Sequence, residues 1–518
     1  MASFSIPLTG LEADSTALNT IANNLANMST TGFKSQSTSF SDLLYQQIGT
    51  SGSGDEIQMG SGVKVAANTT DFTTGSISST DVSSDVAIDG SGFFVLDNNG
   101  SQLLTRDGGF QLSSNGTLES TNGLAVMGYP AVNGVVNPGA PLTDIVIPTG
   151  QTMNPAATTT FSMTQNLDSS DAVGATTTGS LQVYDSLGKS YEATVTYTKT
   201  GTNQWSYGIS LPDTLQGATA VVAGVTTTTY NFGANGGVLA TVDPSTDLTI
   251  TGLTAGGGTA TIAVPAVPAG TIVGVAGPPA TGYVALLQNA ITAAGIANVN
   301  VAATAGGQLT ITGTNFSTSG TVVQDPVPSA SAQGTLNFNA NGDLISPAAD
   351  VAGITFSGLS DGAAGLNLTW DLYGANGTGN ISQTASTSST SSTHQSGYPT
   401  GTYQSFSIGS DGTIAVSYSN GQTQNVGQIA IATVSNQEGL VALGSTEYQT
   451  TNASGTATVG IAGTSGRGAL EGSSLEASNV NISTEFSDLI VAQRAFEANA
   501  KSVTTFDTVT QDAINMVH

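Results

Sequence analysis

Both ends of this chain space their apolar residues as helices do, while the long middle alternates as strands do. Over residues 11–28, Leu11, Leu18 and Leu25 share one heptad position, with Ile21 and Met28 at its partner. Apolar side chains recurring at that spacing predict an amphipathic helix. Ser5 ahead of Pro7, or Thr9 with Glu12 as a capping box, marks its start, and Gly32 its stop. The other end mirrors it. Ile482, Leu489, Phe496, Val503 and Val517 share a heptad position interrupted by Thr510, flanked by Phe486, Ala500 and Ile514. Asn481 is the candidate N-cap, and Glu485 and Asp488 fall early, where the helix dipole favours acids. Glu497 and Lys501 are spaced as an i,i+4 ion pair.

Between the ends run short alternating segments such as DVAIDGSGFFVLDNNG (85–100) and SLQVYDSLGKSYEATVTYTKTG (180–201). Asp-Gly or Asn-Gly pairs at 89–90, 99–100, 115–116, 122–123 and 341–342 punctuate them as turns. A short helix pattern at 283–294 is followed by strand patterns at 299–302 and 308–312, inside a stretch, 248–324, that carries no charged residue. The Ser/Thr tract at 382–393 reads as a linker or exposed loop. The fold class is therefore mainly β, with an α-helical terminal domain formed by the N- and C-terminal heptad helices. Each terminal stripe exposes apolar area if left alone, so the helices pack on each other, on copies of themselves, or both.

Composition narrows the function. The 518 residues carry 8 Lys+Arg against 35 Asp+Glu, a formal charge of −27, and only 8% are charged, where about 25% is usual. Too few cations remain for a nucleic-acid phosphate footprint or for docking to an anionic membrane. No Lys or Arg occurs between Lys199 and Arg467. There is no Cys, so disulfides, thiolate metal sites and thiol catalysis fall together, and the two histidines, His394 and His518, cannot build a metal cluster. The start has no basic n-region or long apolar core, so an exported product would not use a cleaved signal peptide, and the apolar tract near 262–287 is broken by prolines.

Candidate chemistry is sparse. Asp97-Asn98-Asn99-Gly100 lacks the ligand ladder of a calcium loop and reads as a hairpin turn. Gly90-Ser91-Gly92 reads as a tight turn rather than a dinucleotide site, and His394 as a solvated loop residue. No base is placed to activate a serine or threonine, so no catalytic residue, metal or cofactor is expected. Asn19, Asn23 and Asn27 lie at i, i+4 and i+8 with Asn24 adjacent. They read either as buried amides across a helix interface or as a polar face.

At these residues the sequence resembles the bacterial flagellar rod/hook family of axial proteins. ANNLANMSTTGFK (22–34) is similar to its N-terminal signature, with Asn23, Asn24, Asn27 and the Gly32-Phe33-Lys34 stop. Residues 90–130 resemble its second signature, through Gly92, Phe93, Arg106 and the closing Gly128-Tyr129-Pro130. Residues 478–516 resemble the third, with Gln493 and Arg494. NLDSS (166–170), VYDSLGKSYEATVTY (183–197) and GTLNFNANGDL (334–344) resemble the outer β domain of the longer, hook-type members, while 285–315 resembles a small insertion motif of flagellins and hook-associated proteins. A distal-rod-like axial protein, or an extracellular β-rich adhesin, is the alternative.

The resemblance implies nested β-rich domains. Residues 1–30 and 480–518 would form the helical inner-tube domain, 31–70 and 474–479 a connecting segment, and 71–146 and 385–473 the β domain with the family motif. Residues 147–215 and 331–384 would form an outer β domain, and 216–330 an inserted surface domain. It implies a homo-polymer interface on Leu11, Leu18, Ile21, Leu25, Met28, Ile482, Phe486, Leu489, Phe496 and Val503. The implied partners are a distal rod protein, a hook cap protein, hook–filament junction proteins and the flagellar type III export apparatus, at an extracellular location.

Overall fold

The computed structural model describes residues 5–50, 56–216, 218–222, 225–231, 249–253, 259–263, 283–303, 308–314, 316–319, 321–324 and 327–516. Val517, His518 and the proline-broken tract at 264–282 lie outside them. The chain divides into two compact units, 1–151 with 402–518, and 152–401. Three α-helices occur among the described residues, α1 (Ser5–Ala26), α2 (Tyr283–Ala293) and α3 (Ile482–Asn515); apart from two short 3-10 turns, the other regular elements are β-strands.

In the first unit the two chain ends are zipped together strand by strand. Ile77–Ser79 pairs with Ser474–Glu476, and Val86–Asp89 with Ala469–Gly472, both antiparallel. Phe93–Asn98 then pairs with Ser101–Thr105 and Ala125–Val132, and Thr423–Thr433 pairs with both Ala125–Val132 and Phe93–Asn98, with Ile429 opposite Gly128 and Ile431 opposite Phe94. The predicted Asn99-Gly100 turn is of the mirror-image type that matches strand twist: φ is +52° and +87°, and Asp97 Oδ1 accepts the Gly100 N–H at 2.8 Å. Asn133-Gly134, absent from the predicted turns, has the same geometry, φ +50° and +79°. Towards the helices, Gln36–Asp42 pairs with Val63–Thr70, and Tyr45–Thr50 with Glu56–Gly60.

The second unit holds a five-stranded sheet, from Thr176–Tyr184 to Leu344–Ser346, and a six-stranded one containing Thr160–Asp168. The alternation read in 180–201 is realised: Tyr191, Ala193, Val195 and Tyr197 are buried, as are Trp205 and Trp370 in the same core. Lys199 occupies the next inward position. Its ammonium lies 5.6 Å from the Trp205 ring centre and donates to the Ser169 carbonyl. The predicted helix and strands of the insertion appear as α2, Val299–Ala303 and Gln308–Gly313. Asp213–Gln216 pairs with Thr321–Gln324, bringing the two ends of that insertion side by side.

The 382–393 tract is not a loop. Ile381–Thr384 and Ser389–Gln395 both pair with Thr160–Asp168, and His394 sits on the second strand opposite Ser162. Threonine suits a pleated strand, and the side chains of Ser389–Gln395 are mostly exposed, so polarity signalled solvent rather than irregular backbone. These pairings also put 385–401 in the 152–401 unit, not with 402–473 as the sequence-based boundary had it.

Candidate assembly site

α1 and α3 run antiparallel. Asn499 Nδ2 donates to Asp14 at 2.8 Å midway along both helices, and Asn24 Nδ2 to Glu485 at 2.9 Å where α1 ends and α3 begins. α1 is already helical at Ser5, with Pro7 in its first turn, so the earlier start holds and Thr9 lies inside, donating to the Ile6 carbonyl at 2.8 Å. Asn481 caps α3, accepting from Ser483 N and Thr484 N at 3.0 and 3.3 Å. Glu497 takes Arg494 as its ion-pair partner at 3.0 Å instead of Lys501.

What the pair buries is small and polar. Pro7, Gly10, Ala13, Thr20 and Asn24 are the buried residues of α1, and a Cβ on Gly10 would lie 2.6 Å from Asn499 Nδ2, so a side chain there would have to displace the Asn499 amide. The heptad residues Leu11, Leu18, Ile21 and Leu25 are only half-buried, as are Leu489 and Val503 on α3. Met28, Ile482, Phe486 and Phe496 are exposed, between 37% and 49%. Ile6, Leu8, Ile490, Val491, Val509 and Ile514 are exposed beside them. A single chain thus leaves much of the predicted stripe uncovered.

The asparagines divide. Asn19 and Asn23 are exposed, and Asn27 turns back to Asn23, donating to its carbonyl at 2.9 Å. Within one chain that stripe is a polar face. Asn24, one residue off the stripe, is the buried amide: it donates to the Gln36 carbonyl at 2.7 Å and accepts Gln36 N at 2.9 Å, besides holding Glu485. The helical period explains this, since a one-residue step turns the side chain by about 100°.

Below the helices, two of the three signature motifs meet at a residue the sequence did not single out, Glu476. Lys34 Nζ stands 2.6 Å from Glu476 Oε1 with both side chains fully buried, and Arg106 Nη2 stands 3.1 Å from Oε2. Lys34 also donates to the Thr73 carbonyl at 2.7 Å, and Gly75 N donates to Glu476 at 2.8 Å. The Gly90–Ser91–Gly92 turn wraps the guanidinium, with Arg106 donating to both glycine carbonyls at 2.9 and 2.8 Å. Gly32, at φ +66°, passes so close that a Cβ would lie 2.6 Å from the Arg106 backbone. Burial, then the neighbouring Arg106, lowers the Lys34 ammonium below its usual value; Glu476 works against that. Asn479 adds a further tie, accepting Ser35 N at 2.7 Å and donating to the Asp71 carbonyl at 2.8 Å.

The remaining motif residues serve the β body. Phe93 packs edge-to-face with Phe72 and Tyr448, centroids 5.6 and 5.8 Å apart, and burial pushes the Tyr448 hydroxyl up to about 12. A Cβ on Gly128 would lie 2.2 Å from the Gln428 carbonyl oxygen, and Tyr129 and Pro130 continue that pairing opposite Gln428 and Gly427. Phe33 is half-buried, whereas Gln493 and Arg494 are exposed on α3. No group of three or more metal-ligating side chains occurs among the described residues, and no described helix is long and apolar enough to cross a membrane.

Two terminal helices clamped to a β body threaded from both chain ends, with apolar stripes left uncovered, are the anatomy of a structural subunit that packs against other chains. Comparison with known proteins identifies the class. Residues 7–34 match the family described as "Flagella basal body rod protein", 87–166 "Flagellar hook protein FlgE/F/G D1 domain", 149–273 "Flagellar basal body protein FlaE D2 domain" and 471–516 "Flagellar basal body rod FlgEFG protein C-terminal". The flagellar hook protein FlgE of Escherichia coli K12 is 31% identical, over 99% of each chain; that of Treponema pallidum is 30% identical, over 98% of each. The crystal structure of the Helicobacter pylori flagellar hook protein FlgE2 is similar over 76% of this chain and 99% of that one, at 13% identity and a TM-score of 0.36. The chain belongs to the flagellar hook protein family: it is a structural subunit of the bacterial flagellar hook, located at the hook and basal body, and assembles into the hook polymer.

Proposed function

We propose that this subunit polymerises through its terminal helices into a curved, flexible tube that carries motor torque from rod to filament while bending as a universal joint. The supporting observation is the uncovered apolar stripe along α1, the turn after it and α3, led by Met28, Ile482, Phe486 and Phe496, which a monomer leaves in water and a tube of copies would bury. The half-buried Leu11, Leu18, Ile21, Leu25, Leu489 and Val503 complete that surface. The nested division read from the sequence belongs to this proposal: helices for the tube, 31–70 with 474–479 as connector, β-rich units for the sliding contacts between copies. The Lys34–Glu476–Arg106 clamp would pass load between connector and β body, since it joins strands from both chain ends.

The partners proposed are a distal rod protein at one end of the tube, a hook cap protein during growth and hook–filament junction proteins at the other end. Delivery is by the flagellar type III export apparatus, without a cleaved signal peptide. Removing residues 482–518 tests the central claim. Electron microscopy should then show no tubes, while far-ultraviolet circular dichroism retains the β signal; tubes of normal length would overturn the assignment of the interface to the helices.

A further inference from the structure

Between α1, α3 and the strand Gln36–Asp42 lies an open groove of about 330 Å³. Ala17, Ala492 and Ala495 keep its floor shallow, and Phe40 and Val491 on its rim are 45% and 65% exposed. Asp14, Glu485 and Asp488 line the same groove, and no Lys or Arg does. The ion pairs among the described residues use none of these acids. Amides answer two of them, Asn499 on Asp14 and Asn24 on Glu485. Burial, and with it the charge of Asp488, pushes the Glu485 carboxyl up. An apolar floor edged by acids without cations fits an occupant that is both apolar and basic.

The chain carries such a surface elsewhere on α3. Phe486, Ile490, Arg494, Glu497 and Lys501 recur at helical spacing and form one outward stripe. Phe486 and Ile490 are 49% and 58% exposed, the Arg494 side chain is 78% exposed, and Lys501 is exposed as well. At about 100° per residue, Arg494 and Lys501 lie roughly 120–140° round the helix from Asp488. The stripe therefore cannot enter its own chain's groove. Two complementary surfaces on different sides of one molecule make a head-to-tail contact, which propagates into a ring or an open helical polymer instead of closing as a two-fold dimer.

We propose that the 486–501 stripe of one copy seats in the α1–α3 groove of the next, with Arg494 and Lys501 facing Asp488 and Asp14. This rests on the reading of the terminal helices as the polymer interface, and adds to it a direction and a charge code. In a chain of net charge −27, placing Arg494 and Lys501 away from the groove's three acids also sets which faces repel.

The test uses full-length protein bearing Asp488→Lys or Arg494→Glu, both at exposed positions. Each variant alone puts like charges across the seam, and its critical concentration for tube growth should rise more than about tenfold. An equimolar mixture should recover growth, because the acidic stripe of one variant then meets the basic groove of the other in alternation. Circular dichroism identical to the parent's checks that both are folded. Either variant growing like the parent, or a mixture as inert as its components, would overturn the pairing. Loss of tubes on removing 482–518, together with normal growth of the charge variants, would discard the pairing and keep the helical interface; normal growth of all three would discard both.

Discussion

Glu476 faces two buried cations alone, and that imbalance makes it the most sensitive residue of the clamp. Glu476→Ala leaves Lys34 and Arg106 buried without a counter-charge, and should destabilise the first unit by about 3–5 kcal/mol. Lys34→Met should cost much less, because the Arg106–Glu476 pair survives and methionine fills the space of the lysine stem. Urea midpoints of the two variants check the order; equal losses would show that charge balance does not decide. Neither the clamp's acid nor Asn479 was legible in the sequence. Lys34 and Arg106 stood out in a chain with few cations, but which of 35 acids would meet them depends on the antiparallel pairing of Ile77–Ser79 with Ser474–Glu476. Local pattern carries no information about a contact spanning 442 positions.

At the scale of elements, the helix pair has a pH dependence whose sign follows from Glu485. Its carboxyl is raised above the ordinary 4.5, first by burial, so the folded pair holds the proton more tightly than the unfolded chain does. That contribution is fully present below about 4.5 and is lost as pH rises through the raised folded value. Acidifying from pH 7 towards 4.5 should therefore strengthen this contact, and Glu485→Gln should remove its part of the dependence. Thermal unfolding of the helical signal at pH 7 and pH 5 measures both; a contact weakened at pH 5 only when Glu485 is present would refute the sign. Elements with strong local signals were readable: α3 has its Asn481 cap and unbroken apolar period, and the Asn99-Gly100 turn has its required positive φ values. Ser389–Gln395 was not, because an exposed edge strand of serine and threonine lacks the alternation that marks half-buried strands.

At the scale of the whole molecule, the insertion and the scarcity of ion pairs make separate predictions. Since Asp213–Gln216 and Thr321–Gln324 already lie side by side, replacing 217–320 with a short glycine turn should leave the surrounding sheets folded and tube assembly intact. Electron microscopy checks this; loss of all tubes would place the insertion in a subunit contact. The described residues of 152–401 hold a single ion pair, Lys189–Asp213 at 2.7 Å. If contacts between copies slide without breaking charge pairs, hook bending stiffness should vary little with salt from about 0.05 to 0.5 M, a range over which exposed pairs are progressively screened. A steep dependence would argue for charged sliding contacts.

The sequence by itself determined the helical ends, the β-rich middle, the turns and the poverty of charge, because each is written in periodicities and residue types a few positions long. It also placed the family signatures at the chain's two ends and in its first third. Only the tertiary structure decided that the helices meet through Gly10, Asn24 and Asn499 while their leucines stay half bare. It alone brought Lys34 and Arg106 to Glu476, and set the acidic groove apart from the basic stripe of α3. Those features depend on how two ends of one chain pair in antiparallel register, and that register is fixed by packing summed over the whole first unit.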